Sequence, residues 1–321
     1  MKLWRRASGA IKDKLSLITA ADENFTAAII KATSHNDLSM DNENVQFIYR
    51  YIQSNPSSFK PIIRAITLRV ERTSNWTVAL KCLMLLHGLF FTGIKAVDSI
   101  GRLPFDLSGF GKRKSRFSRT GRFNIFVRAY FLFLDERSIL FFNKNTIRLE
   151  IIVKMQRIVD SLMRIKPVGE TPLVIEAMEY VISEVFEIND HICRGFAGFL
   201  SQVQCNTLEI SSAEAELAMM IVAKSLSQRE ELVKYLEFCR GFGVTNAEEI
   251  TSFVGVTESQ VILLDKLLRM APELDRKAAK VRPVTAEDMV EVDLVTSEEW
   301  RYSERFKISD DDNSQSDLIS F

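Results

Sequence analysis

The sequence predicts an all-α protein, a right-handed α-solenoid or bundle of stacked antiparallel helices followed by a disordered C-terminal tail, and three observations carry this. Apolar residues recur at three- and four-residue intervals along most of the chain. Only 13 Gly and 7 Pro occur in 321 residues, too few for a sheet with many tight turns. Strand-like alternation of apolar and polar residues is absent from the sequence, and no repeat of fixed period is found.

The first 18 residues place Leu3, Trp4, Ala7, Ala10, Ile11, Leu15 and Ile18 at helical spacing among basic residues, a candidate amphipathic helix for an anionic surface. A helix over about 23–34 follows, with Asp22 as its expected cap, Phe25, Ala28, Ile29 and Ala32 on one face, and Lys31 near its end. Residues 44–52 are helical again and stop before Pro56. Helices over about 59–72 and 76–91 come next, the latter with Ser74 as its expected cap. The run from Val78 to Phe91 contains Lys81 and His87 and is shorter than the ~20 residues that span a bilayer, so it reads as a core helix with His87 buried. A basic loop at 111–122 precedes helices over 123–142, 146–164, 171–203, 212–241 and about 257–269. Beyond Pro272 the chain turns acidic and polar, which divides it into a helical domain of 1–272 and a tail of 273–321.

The formal net charge is zero, but residues 1–164 hold 27 Lys and Arg against 13 Asp and Glu, whereas 165–321 hold 15 against 29. A basic front half points to an anionic partner. Cys82, Cys193, Cys205 and Cys239 are widely spaced without a CxxC pair, which fits a reducing compartment and indicates neither a zinc site nor a disulfide framework. The three histidines are scattered, and no phosphate-cradling glycine motif, HExxH or GxSxG is found, so no catalysis, cofactor or metal is expected. The basic loop, with Lys112, Arg113, Lys114, Arg116, Arg119 and Arg122, lacks a nucleic-acid reading module. Its Ser115, Ser118 and Thr120 stand among arginines, a pattern compatible with phosphorylation sensitivity. In the tail, Asp293-Leu294-Val295 and Asp317-Leu318-Ile319 put an apolar pair after an acid, as short groove-docking segments do.

Taken together, AIKDKLSLITA, KATSH, RTSNWTVALKCLMLLHGLF, FDLSGFGKRKSR and FVRAYFLFLDERSILFF resemble the ANTH domain of clathrin assembly proteins, over about residues 1–272. The resemblance implies an ENTH/ANTH-like stack of helices in the cytoplasm, peripheral on clathrin-coated pits and vesicles at the plasma membrane or Golgi. It also implies binding of anionic phospholipids, above all phosphoinositides, by the front helices, binding of clathrin and adaptors by the tail, and possession of a vesicle SNARE site. The expected lipid-binding residues are Lys2, Arg5, Arg6, Lys12, Lys14, Lys31 and His35, and the expected coat-binding residues are Asp293, Leu294, Val295, Asp317, Leu318 and Ile319. In that family a lysine, nine residues, a lysine, any residue, a basic residue, and a histidine or tyrosine form the headgroup site. Lys31 matches the first lysine, but Asp41, Glu43 and Asn44 stand at the other three positions, so cations give way to two carboxylates and an amide. Two readings follow: a diffuse cationic membrane surface without headgroup specificity, or a protein-binding scaffold that has lost lipid binding.

Overall fold

A computed structural model describes residues 12–13, 24–112, 120–142, 148–169, 171–205, 211–249, 261–264 and 266. Among these residues there are helices and no strands, and the described chain divides into two compact units, one ending at Ser99 and the other beginning at Ile100. The all-α class is thereby observed. The boundary expected at 272, the first 11 residues, the proposed cap Asp22 and the tail lie outside the described residues.

The first unit contains α1 (Asn24–Ala32), α2 (Asn42–Ser54), a 3₁₀ turn (Pro56–Ser58), α3 (Phe59–Glu71), α4 (Trp76–Phe90) and a second 3₁₀ turn (Lys95–Ser99). Helix α1 packs on α2 and α3, and α3 on α4. The sequence of α4 is apolar nearly all round, and a helix of that kind has no face to give to water. Every residue from Thr77 to Leu89 is buried, including Lys81 and His87, and His87 stacks on Phe91 with ring centroids 5.1 Å apart. The Tyr49 hydroxyl donates to the Leu85 carbonyl at 3.1 Å, tying α2 to this core helix.

The cap of α4 differs from expectation. Asn75, not Ser74, holds the extended cap conformation (φ −95°, ψ 122°), and its side chain accepts from the Thr77 amide at 2.8 Å. A cap oxygen must reach the second or third helical amide, and Ser74 lies one residue too early for that.

The second unit contains α5 (Gly121–Phe142), α6 (Arg148–Met163), α7 (Pro172–Gln204), α8 (Ser212–Arg240) and α9 (Thr245–Glu249). Helix α6 packs against α5, α7 and α8, and α9 sits on α7 and α8. Pro172 opens α7, where its missing N–H costs nothing, and Ser211 with Glu214 closes a reciprocal capping box at the start of α8. Polar side chains stitch α6 to α8: Gln156 donates to the Ile221 carbonyl (2.9 Å) and Gln228 donates to the Gln156 carbonyl (2.6 Å). Of the helix expected near 257–269, residues 261–264 and 266 are described and helical. Among the described residues, no helix is long and apolar enough to cross a membrane.

Candidate functional site

The junction between α1 and α2, residues 33–41, lies where the sequence puts its candidate anion site. Helix α1 ends with the Thr33 hydroxyl donating to the Ile29 carbonyl at 2.6 Å and the Ser34 amide to the Lys31 carbonyl at 3.2 Å. Asn36 then turns the chain by accepting from the Leu38 amide at 3.1 Å. A depression of about 350 Å³ opens here, lined by Asp13, Ile30, Lys31, Ser34, Asn36, Ser39, Met40 and Asp41. Its charged lining is one ammonium and two carboxylates. A polyphosphate headgroup needs several converging cations, and this depression offers a single one.

Asp41 has a structural task. It is the N-cap of α2: one carboxylate oxygen accepts from the Asn44 amide (3.2 Å) and the other from the Asn44 side-chain amide (2.8 Å). Glu43 lies in the first turn, where a negative charge meets the positive end of the helix dipole. Asp41, Glu43 and Asn44 thus form the capped start of α2, and its N-terminus is already supplied with carboxylate. Asp41→Ala is expected to cost about 1 kcal/mol of stability, read from urea unfolding, because it leaves that amide without its side-chain acceptor.

His35 is engaged by a carboxylate. Its backbone N–H donates to Asp13 Oδ2 at 2.9 Å, and its ring Nδ1 is 2.8 Å from Asp13 Oδ1. Arg69, from α3, completes the cluster by donating to Asp13 Oδ1 (2.7 Å), the Thr33 carbonyl (3.0 Å) and the Thr33 hydroxyl (3.2 Å). Burial pushes the Asp13 carboxyl upward, but the hydrogen bonds from the His35 ring and backbone and from Arg69 outweigh it, and the group lies below its usual range. The cluster clasps three stretches of chain: the segment holding Asp13, the α1–α2 junction and α3.

Of the expected lipid-binding residues, Lys12 and Lys31 are exposed and His35 is engaged by Asp13. Lys2, Arg5, Arg6 and Lys14 lie outside the described residues, as do Asp293, Leu294, Val295, Asp317, Leu318 and Ile319. Sequence reasoning missed Asp13, Thr33 and Arg69 as the organisers of the junction. The one signal available was a polar Asp13 interrupting the basic run of the front segment.

Comparison with known proteins places this all-α chain in a recognised domain class. The chain belongs to the ANTH domain family, whose match covers residues 24–150 and 142–270. Its curated relatives in Arabidopsis thaliana include "Putative clathrin assembly protein At2g01920", 84% identical over 93% of this chain and 95% of that protein. "Putative clathrin assembly protein At1g14686" is 54% identical over 85% of this chain and 84% of its own length, and "Putative clathrin assembly protein At1g25240" is 40% identical over 85% and 78%.

Proposed function

We propose that this chain is a non-enzymatic, peripheral adaptor in clathrin-mediated endocytosis and clathrin-coated vesicle assembly. In this reading residues 1–272 form the ANTH-type domain, whose basic front meets anionic phospholipid, and the acidic tail 273–321 engages clathrin and adaptor complexes through Asp293-Leu294-Val295 and Asp317-Leu318-Ile319. It works in the cytoplasm, on coated pits and vesicles of the plasma membrane or Golgi, without a cofactor. The observation that carries this is membership of the ANTH family together with relatives named as putative clathrin assembly proteins along most of the chain. The surplus of cations in the first half of the sequence supports the membrane part.

The acidic start of α2 shapes how lipid would be held. With Asp41 and Asn44 engaged in the cap and Asp13 in the same depression, membrane attraction comes from dispersed cations such as Lys12 and Lys31, not from a fitted inositol phosphate pocket. Each such cation near an anionic leaflet contributes about 1 kcal/mol, and salt screens the sum. The same cap favours a second reading, a helical scaffold for partners such as vesicle SNAREs that has lost lipid binding.

Co-sedimentation of the full chain with phosphatidylcholine, phosphatidylserine and phosphatidylinositol 4,5-bisphosphate vesicles separates the two. The adaptor reading expects binding to both anionic vesicles at low salt, a steep fall towards physiological salt, and no gain from the inositol lipid at matched surface charge. Absence of binding to every anionic vesicle would leave the scaffold. In parallel, Leu294→Ala with Leu318→Ala is expected to lower capture of the chain on immobilised clathrin and adaptor appendages. Undiminished capture would remove the tail segments from the coat role.

A further inference from the structure

We infer that the outward face of α3, carrying Lys60, Arg64 and Leu68 and ending at Arg72, is a contact surface for an anionic lipid bilayer. The inference rests on the membrane-adaptor reading above and gives it a surface. Helix α3 buries Phe59, Ile62, Ile66 and Val70 on one side. On the other, Lys60, Arg64, Leu68 and Arg72 follow one another four residues apart and are all exposed, spanning roughly 18 Å of helix axis. Glu71 is the acid on this face, so the stripe carries three cations to one carboxylate, the reverse of the balance in the junction depression.

The two kinds of arginine in α3 have different employment. Arg69 turns inward to Asp13 and Thr33, with 13% of its side chain exposed. Among the described residues, Lys60, Arg64 and Arg72 take part in no ion pair, so their charge is available to a partner. Charge complementarity selects an anionic one. Leu68, 39% exposed among the cations, selects a bilayer, where an aliphatic side chain at headgroup depth enters the acyl boundary while its cationic neighbours stay at the phosphates.

The test uses the full chain and vesicles of phosphatidylserine in phosphatidylcholine, with thermal melts to verify that variants fold as the wild type does. K60Q/R64Q is expected to weaken binding about 25-fold, each cation contributing roughly fivefold. E71Q is expected to strengthen it, and L68Q to remove the part of binding that survives high salt. If the wild type binds and K60Q/R64Q binds equally well while K31Q does not, the stripe is overturned and the membrane reading stands. A wild type that binds no anionic vesicle overturns both, and recovery of an acidic protein on the stripe would then identify a different partner class.

Discussion

Arg137→Met is expected to destabilise the protein by about 3–5 kcal/mol, the usual cost of breaking a buried ion pair from one side. The Arg137 guanidinium donates through Nε to Glu184 Oε1, joining α5 to α7, and neither residue has appreciable access to water, with Arg137 at 6% and Glu184 at 0% exposed. The guanidinium also lies over the Phe141 ring, 4.6 Å from its centroid, so it is packed as well as paired. Methionine fills much of the volume and supplies no charge, which leaves the Glu184 carboxylate to bear its desolvation without the guanidinium. Replacing both partners, in R137M/E184M, is expected to restore most of the lost stability, since the buried charge disappears with its partner. Urea unfolding of the two variants beside wild type decides it: an R137M midpoint equal to wild type would show that the pair contributes little.

A pH series sharpens the same experiment. Glu187, one turn along α7 from Glu184, is pushed up to about 7 by burial and then by the negative charges of Glu184 and Asp190, against Arg194 and Arg137, which pull it down. Between its ordinary value of 4.5 and about 7 the folded chain holds a proton at Glu187 that the unfolded chain has released, so this group's contribution to stability falls as pH rises through that window. Removing Arg137 takes away one of the opposing cations. The deficit of R137M is therefore expected to be larger at pH 8 than at pH 5.5, where Glu187 is protonated and has no charge for the lost guanidinium to offset.

Arg69→Met is the second large effect, at about 2–3 kcal/mol, because hydrogen bonds to charged groups each contribute more than neutral ones and three are lost together. Asp13 would keep His35, but α3 would no longer be fastened to the end of α1. The sign of the acid dependence follows from the depressed Asp13 carboxyl. Its stabilisation is fully present above the unfolded value of 3.8 and is lost as pH falls through the lower folded value. Thermal melts from pH 7 down to pH 2 are therefore expected to show Asp13→Asn with a flatter acid limb than wild type, and Arg69→Met with a lower melting temperature even at pH 7. An Arg69→Met melt matching wild type at pH 7 would mean that the clasp does not hold the junction.

Much of the fold was legible because it is written in short-range pattern. The apolar faces of α2 and α3 appear as Val45, Ile48, Ile52 and Phe59, Ile62, Ile66, three and four residues apart, and all six are buried. The burial of His87 followed from an α4 sequence with no polar side to offer. Helix ends were less legible, because a cap depends on one backbone conformation: Asn75 and Ser74 are both good cap residues, and only the extended backbone at Asn75 decides between them.

The candidate site divides the same way. Counting along the chain from Lys31 is enough to show that Asp41 and Glu43 carry the wrong sign for a headgroup site, since charge identity is a property of the sequence. That His35 is spent on Asp13, and that Arg69 reaches the same carboxylate from 56 residues away, leaves no periodic trace and had to come from the folded chain. Within α3, Lys60, Arg64 and Arg69 are three similar cations in one short helix. The sequence by itself determined the all-α class, the helical domain family and the two-ended charge. Tertiary structure decided which cations are bound inside and which are left for a partner, because a long cationic side chain can either cross to a buried acid or stay in water, and the choice depends on where the fold brings the acid.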